Sequence, residues 1–247
     1  MQDWTAGERL FAQYAHAPNA LGYCGPEAAD GLLRGARGES PPVDVRAVAR
    51  GFSGAWPYQD VIAQLSGLGD PLDAEVVRAY WTGNQVTELV EPAEFGAALL
   101  ARIKPQAGRY WAHLDDELLK EALPTHAFHV LAVYPWSRML SPDRPEPLEV
   151  LESCRIGWGT VLEASGETVT VEHSALTYDR ELGLGPPLTR TVTDDGFAGE
   201  LAPGDLIALH WGRVCDRLTV REAELLEYWT QRQLELSNPR IRAGSGA

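Results

Sequence analysis

Two textures of hydrophobic patterning divide the chain. Up to about residue 140, apolar positions recur three and four residues apart, the spacing of amphipathic helices. Leu10, Phe11 and Tyr14 mark a first helix in GERLFAQYA. Pro18, Asn19, Gly22, Gly25 and Pro26 then break it, all of them turn-makers. PEAADGLLRG predicts a short second helix with Pro26 near its first turn. In PLDAEVVRAYW, Val76, Val77, Tyr80 and Trp81 share one face behind an Asp73 cap. Phe95, Leu99 and Ile103 repeat the pattern in EPAEFGAALLARI. The acids of DDELLKEAL suit a helix N-terminus, and Pro124 stops that helix. AFHVLAVYPW is short, apolar and bounded by prolines, and periodicity alone leaves a buried strand or a tucked helical turn open. Its texture leans toward strand.

Pro142, Pro145 and Pro147 crowd SPDRPEPLE, so residues 141–149 are expected to be a linker. Beyond them the texture turns to strands. EVLESCRIGWGTVLE, ETVTVEH, LTRTVT and DLIALHW are spaced by Gly, Pro and Asp turns, as in a small barrel that closes its own edges. LTVREAELLEYW returns to helix, with Thr219 and Glu222 as a capping box and Leu225, Leu226 and Trp229 on its apolar face. The expected fold class is α+β. A mostly helical domain spans 1–140, a small OB-like barrel with a C-terminal helix spans 150–238, and a frayed tail spans 239–247.

Composition narrows the function. A hydrophobic fraction of 45% with eight Trp among 247 residues is enough for a real core. Lys plus Arg number 21 against 35 for Asp plus Glu, a net charge of −14. Such a chain repels phosphate backbones, so nucleic acid is excluded as a partner. No apolar run is long enough to span a bilayer, and MQDWTAGERLF lacks the basic and apolar regions of a secretory signal. Cys24, Cys154 and Cys215 are three, widely spaced and without a CxxC pair, which suits a reducing cytoplasm. No phosphate loop, GxGxxG, HExxH or GxSxG motif is present.

Three constellations carry possible chemistry. Cys154 with His210, and Cys215 as a candidate third ligand, offers thiolate and imidazole groups suited to iron, zinc or copper rather than magnesium or calcium. Cys24, in LGYCGPEAADGLL, precedes an expected helix N-terminus whose dipole favours thiolate. With His129 as base it would be a nucleophile. His126 and His129 would share a face on a helix, but point to opposite faces on a strand. The strand reading therefore makes one a core residue and the other an edge residue.

The segment from Cys154 to Leu234 resembles the HypC/HupF family, the small chaperones of nickel–iron hydrogenase maturation. The likeness rests on Cys154-Arg-Ile-Gly, on Pro203-Gly204-Asp205 followed by the strand reaching His210-Trp211-Gly212, and on Glu222-Ala223-Glu224 in the helix after it. In that family the Cys begins the chain, whereas here it is internal. The resemblance implies a barrel that binds an iron intermediate, iron with CO and cyanide ligands, through Cys154 and His210. It also implies a protein partner, the hydrogenase large subunit or another maturation factor. The whole chain is similar to a bacterial family of hydrogenase-associated proteins. Separately, the YCGP segment around Cys24, together with His129, resembles papain-like peptidases of the bacteriocin-processing kind, which implies a thiol hydrolase. A metal-free interaction module is the third expectation.

Overall fold

A computed structural model describes residues 4–39, 43–103 and 117–244. Seven helices come first: α1 (Ala6–Ala20), α2 (Ala29–Ala36), α3 (Val45–Arg50), α4 (Trp56–Ser66), α5 (Ala74–Trp81), α6 (Gln85–Leu89) and α7 (Pro92–Ile103). Their ends follow local chemistry. Thr5 and Glu8 exchange hydrogen bonds as a capping box on α1, and Asp73 accepts the Glu75 N–H to cap α5, as the sequence predicts. Asp115 and Asp116 lie outside the described residues, and Leu118–Glu121 forms a single 3-10 turn.

The apolar AFHVLAV segment is helical, not a strand. A short α turn, α8 (His126–Phe128), runs directly into a π turn, His129–Val133. π turns widen the helix by one residue per turn and recur at functional sites. Residues 141–149, expected as a linker, hold a Ser141–Arg144 bridge and the start of α9 (Glu146–Cys154). Pro145 and Pro147 stand at the N-terminal end of that helix, where a missing N–H costs nothing. Cys154 therefore ends a helix, and the first strand begins only at Gly157.

The strands β1 (Gly157–Ser165), β2 (Thr168–Tyr178), β3 (Leu182–Thr193), β4 (Leu206–His210) and β5 (Arg213–Leu218) close a barrel in the order β1-β2-β3-β5-β4. The fold is α+β with a five-stranded barrel and a C-terminal helix, as expected. The fifth strand was not foreseen. His210 pairs with Arg213 across a two-residue hairpin whose Trp211 and Gly212 both have positive φ, 52° and 72°. That is the geometry of the hairpin turns that match strand twist. Gly212 adopts it freely, but Trp211 pays roughly 1–2 kcal/mol for it.

The barrel's interior is aliphatic: Val161, Val169, Val171, Val192, Ile207, Leu209 and Val214 form one buried cluster. Side chains alternate along β4, so Ile207 and Leu209 enter this cluster while Ala208 joins the helical core on the other face. The helical core is continuous with the barrel's outer face. Phe11, Tyr14, Tyr58, Tyr80 and Phe95 share one cluster with Ile156, Ala208, Cys215 and Leu218.

The C-terminal helix α10 (Val220–Gly244) starts at the expected capping box, in which Thr219 N donates to Glu222 at 2.7 Å and Glu222 N donates to the Thr219 hydroxyl at 3.2 Å. It runs through the stretch expected to fray, ending at Gly244. Its side chains join the two halves. Arg240 pairs with the buried Glu121 at 2.7 and 3.2 Å and donates to the Leu131 carbonyl, while Asn238 bonds both backbone groups of Leu182 in β3. The π turn and the barrel are thus held to one helix. Among the described residues no helix is long and apolar enough to cross a membrane.

Candidate metal centre

Where α1, α4, α5 and the π turn meet the β4–β5 hairpin lies a cavity of about 190 Å³. Cys24, His126, His129, Cys154 and His210 all line it, with Phe52, Tyr80, Trp81, Tyr134 and Trp211 as aromatic walls. The structure therefore brings the two residue pairs singled out in the sequence, Cys154 with His210 and Cys24 with His129, to one place. It adds His126.

His126, Cys154 and His210 each present a ligand atom, and the three atoms lie within 4.8 Å of one another. A tetrahedral ion with nitrogen and sulfur bonds of 2.0–2.3 Å spaces its ligands roughly 3.5 Å apart, so side-chain adjustments of about 1 Å close the set. The hydrogen bonds around each ring decide which nitrogen is on offer. His210 Nδ1 lies 2.8 Å from the Tyr14 carbonyl, which can only accept, so Nδ1 carries the proton. Nε2 keeps its lone pair and is buried without a well-formed hydrogen bond, with the Cys154 carbonyl beside it. A carbonyl that fixes a histidine's tautomer in this way is the usual support of a metal-ligating imidazole.

His126 is set by a proton count. The Tyr80 hydroxyl donates to the Gly54 carbonyl at 2.5 Å and lies 2.9 Å from His126 Nδ1, while His126 Nε2 lies 2.9 Å from the Cys154 carbonyl. Two carbonyls, one phenol and one imidazole make three contacts, but a neutral ring and a phenol supply only two protons. Burial, reinforced by His210 and His129, pushes the His126 pKa well below its ordinary value, so the ring is neutral. With the phenol proton on Gly54, the single ring proton sits either on Nδ1, toward Tyr80, or on Nε2, toward the Cys154 carbonyl, and Nε2 is a free ligand only in the first arrangement. In the first arrangement the Nε2 lone pair faces the Cys154 carbonyl, a contact that a cation would relieve.

Local geometry explains why these side chains converge. On α8 and the π turn, His126 and His129 stack at 5.8 Å with an interplanar angle of 26°, sharing a face that a strand would have denied them. Trp81 lies against both His126 (4.7 Å) and His210 (5.7 Å). Gly54 is a point of close approach: a Cβ there would come within 2.9 Å of His129 Nε2. His129 Nδ1 contacts the Tyr58 hydroxyl at 3.0 Å.

Cys154 is clamped from behind. Arg155, 2% exposed, pairs with Glu152 at 2.7 and 3.3 Å and donates to the Ser174 carbonyl of β2 at 2.6 Å. Glu152 in turn accepts the Leu176 N–H, and the Trp211 N–H reaches the Ser153 carbonyl at 2.8 Å. Barrel and hairpin thereby hold the last turn of α9. Burial raises the Cys154 thiol pKa, as does nearby Cys24, while the Trp211 indole acts in the opposite sense without completing a well-formed hydrogen bond.

Not every sequence candidate belongs here. Cys215 faces the helical core from β5, contacts the Arg213 carbonyl at 3.8 Å, and lies outside the three-ligand cluster. Cys24 stands five residues before α2, so no helix dipole activates it, and burial pushes its thiol up to about 11 despite hydrogen bonds from the Gly54 and Gly25 backbone. His126 was the residue the sequence reading passed over as a ligand. Its i, i+3 spacing from His129 was the available signal.

A family model covering residues 3–244 matches nearly the whole chain. The chain belongs to DUF6390, a family of unknown function. No match was found among curated proteins or among solved structures. The matched span runs through the helical layer and the barrel alike and includes the positions of His126, Cys154 and His210.

Proposed function

We propose that this protein is a metal-handling accessory protein that binds a transition-metal ion through Cys154, His126 and His210. The observation that carries the reading is the convergence of one sulfur and two imidazoles, one with an orphaned buried lone pair, on a single cavity. One soft thiolate with two imidazoles favours iron, zinc, cobalt or copper over magnesium and calcium. The cavity's size adds to this. At about 190 Å³ it exceeds the roughly 150 Å³ that holds a benzene, leaving room for an ion with a few small ligands. It falls short of the ~300–1,000 Å³ typical of pockets for larger organic ligands.

The resemblance of the Cys154–Leu234 segment to the HypC/HupF family makes iron with small diatomic ligands the favoured cargo. A hydrogenase large subunit or another maturation factor is the corresponding partner. The test is anaerobic purification from a host producing a nickel–iron hydrogenase. Infrared bands of iron-bound CO and cyanide that vanish in Cys154→Ser support the reading. Iron-free protein, with a Cys154→Ala/His210→Ala double variant that still complements a deletion strain, would overturn it.

A thiol hydrolase is the second reading, since Cys24 and His129 line the same cavity. The electrostatics oppose it. A thiol raised to about 11 and an imidazole lowered to about 4, both by burial, are a neutral pair near pH 7 rather than a thiolate–imidazolium nucleophile. Iodoacetamide labelling of Cys24 near neutral pH should accordingly be slow, and fast labelling would favour the hydrolase.

A further inference from the structure

Cys24 is the one cavity thiol that the three-ligand cluster leaves out, and its placement is specific. The Asn19 side chain donates to the Cys24 and Pro26 carbonyls at 2.8 and 2.6 Å and accepts the Ala28 N–H at 3.3 Å. The Pro18 carbonyl takes the N–H groups of Tyr23 and Cys24. The loop is therefore pinned by α1 into one shape. The Gly54 backbone bonds the Cys24 sulfur, and the Gly54 carbonyl takes the Tyr80 proton, so one peptide unit contacts both Cys24 and the hydroxyl that orients His126.

The order of exposure gives the cavity a direction. Tyr23 is 55% exposed and stacks on Trp211 at 4.0 Å, forming the outer edge. His126 and His210 are buried at the inner end, where the His210 Nε2 lone pair is unsatisfied. Cys24 adjoins Tyr23 at this outer edge; it and Cys154 are both partly buried, so the direction rests on Tyr23 and on the two buried histidines. Three protein ligands would leave a tetrahedral ion one open position.

Resting on the metal-handling reading, we propose that Cys24 is an entry ligand, which takes an incoming thiophilic divalent ion at the cavity mouth and passes it to Cys154, His126 and His210. Capture breaks a metal–water bond, forms a metal–sulfur bond and releases the Cys24 thiol proton. Transfer forms bonds to the Cys154 sulfur and the two imidazole nitrogens, and breaks the bond to Cys24 and those to two bound waters. The proton leaving Cys154 is balanced by one returning to Cys24. No electron moves, so no oxidant or reductant is needed. A relay of this kind requires a thiol beside the final ligands but outside their cluster, which is where Cys24 stands.

The experiment is stopped-flow uptake of Co²⁺ by the full-length apoprotein under anaerobic conditions, read by the sulfur-to-cobalt charge-transfer band. Cys24→Ser should slow loading by about tenfold or more, within the one to three decades over which related association rates vary. Its equilibrium affinity and final spectrum should match the unsubstituted protein. Loading at the unaltered rate would overturn the proposal. So would a loss of affinity in proportion to the loss of rate, which would make Cys24 a resident ligand. Failure of the underlying reading looks different: the unsubstituted protein takes up no Co²⁺, or His210→Ala takes it up equally well.

Discussion

Inside the barrel, Val161, Val169, Val171, Ile207, Leu209 and Val214 bury hydrocarbon alone, whereas the cavity at the seam between barrel and helices is lined by buried His126, His129 and His210 and half-buried Cys154. β4 serves both. Its Leu209 packs into the barrel cluster, and the next residue, His210, lines the cavity. The first region is self-sufficient, for an aliphatic cluster leaves no polar group to satisfy. The second leaves His210 Nε2 orphaned and the Trp211 indole N–H unpartnered, and it holds Trp211 in a strained backbone conformation. Stability is concentrated in the barrel interior. Unsatisfied polar atoms also occur away from the seam, in Tyr14, Gln59 and His173, but at the seam they face a cavity, where a ligand can make use of them.

The comparison can be broken by substitution, and the largest effect is expected where the two regions touch. Glu152→Gln leaves the Arg155 guanidinium buried without its carboxylate, and should cost about 3–5 kcal/mol of stability in denaturant titrations. Because the pair fixes the turn that ends in Cys154, Co²⁺ affinity should also fall, by the ~10–100-fold typical of groups that orient metal ligands. Unchanged Co²⁺ affinity in folded Glu152→Gln protein would detach the clamp from the site. Next, Ile207→Ala should cost roughly 2–5 kcal/mol by opening a void in the barrel, with Co²⁺ affinity unaltered. An equal loss of both would show that barrel and seam do not separate. Thr219→Ala, remote from both, should cost only about 1 kcal/mol through loss of the α10 cap, read as a small fall in melting temperature.

The smallest effect is a pH dependence. Burial lowers the His173 pKa against the opposing pull of Glu152, so the folded chain resists a proton that the unfolded chain accepts near the ordinary histidine pKa. Its contribution is fully present above that pKa and is lost as pH falls through it. His173→Gln should flatten the apoprotein's stability profile there, and an unaltered slope would remove His173 from the account.

How much of this the sequence disclosed depended on the kind of signal. Caps are local, so Asp73 and the Thr219–Glu222 box were read correctly. Alternating strands bounded by turns gave the barrel. β5 escaped notice because RVCDRL places charges among its apolar positions, and its partner is reached through a Trp-Gly turn rather than a stronger turn signal. The HAFHVLAV segment failed for a different reason. A short apolar run buried on all sides has no period, and only packing against α10 and the barrel settles it as helix. That one ambiguity hid His126, because the face a histidine occupies depends on the element that carries it. Cys154 and His210 pair by ligand chemistry and by resemblance, but only the placement of β5 separates Cys215 from them, in the helical core.

The central claim is that Cys154, His126 and His210 bind one transition-metal ion between them. Anaerobic titration of the apoprotein with Co²⁺, followed by visible absorption, tests it most directly. The account predicts one ion per chain in a tetrahedral-type spectrum with a sulfur-to-cobalt band, the band lost in Cys154→Ser and the affinity sharply reduced in His126→Ala and His210→Ala. A titration with no saturable binding, or a spectrum indifferent to all three substitutions, would contradict it.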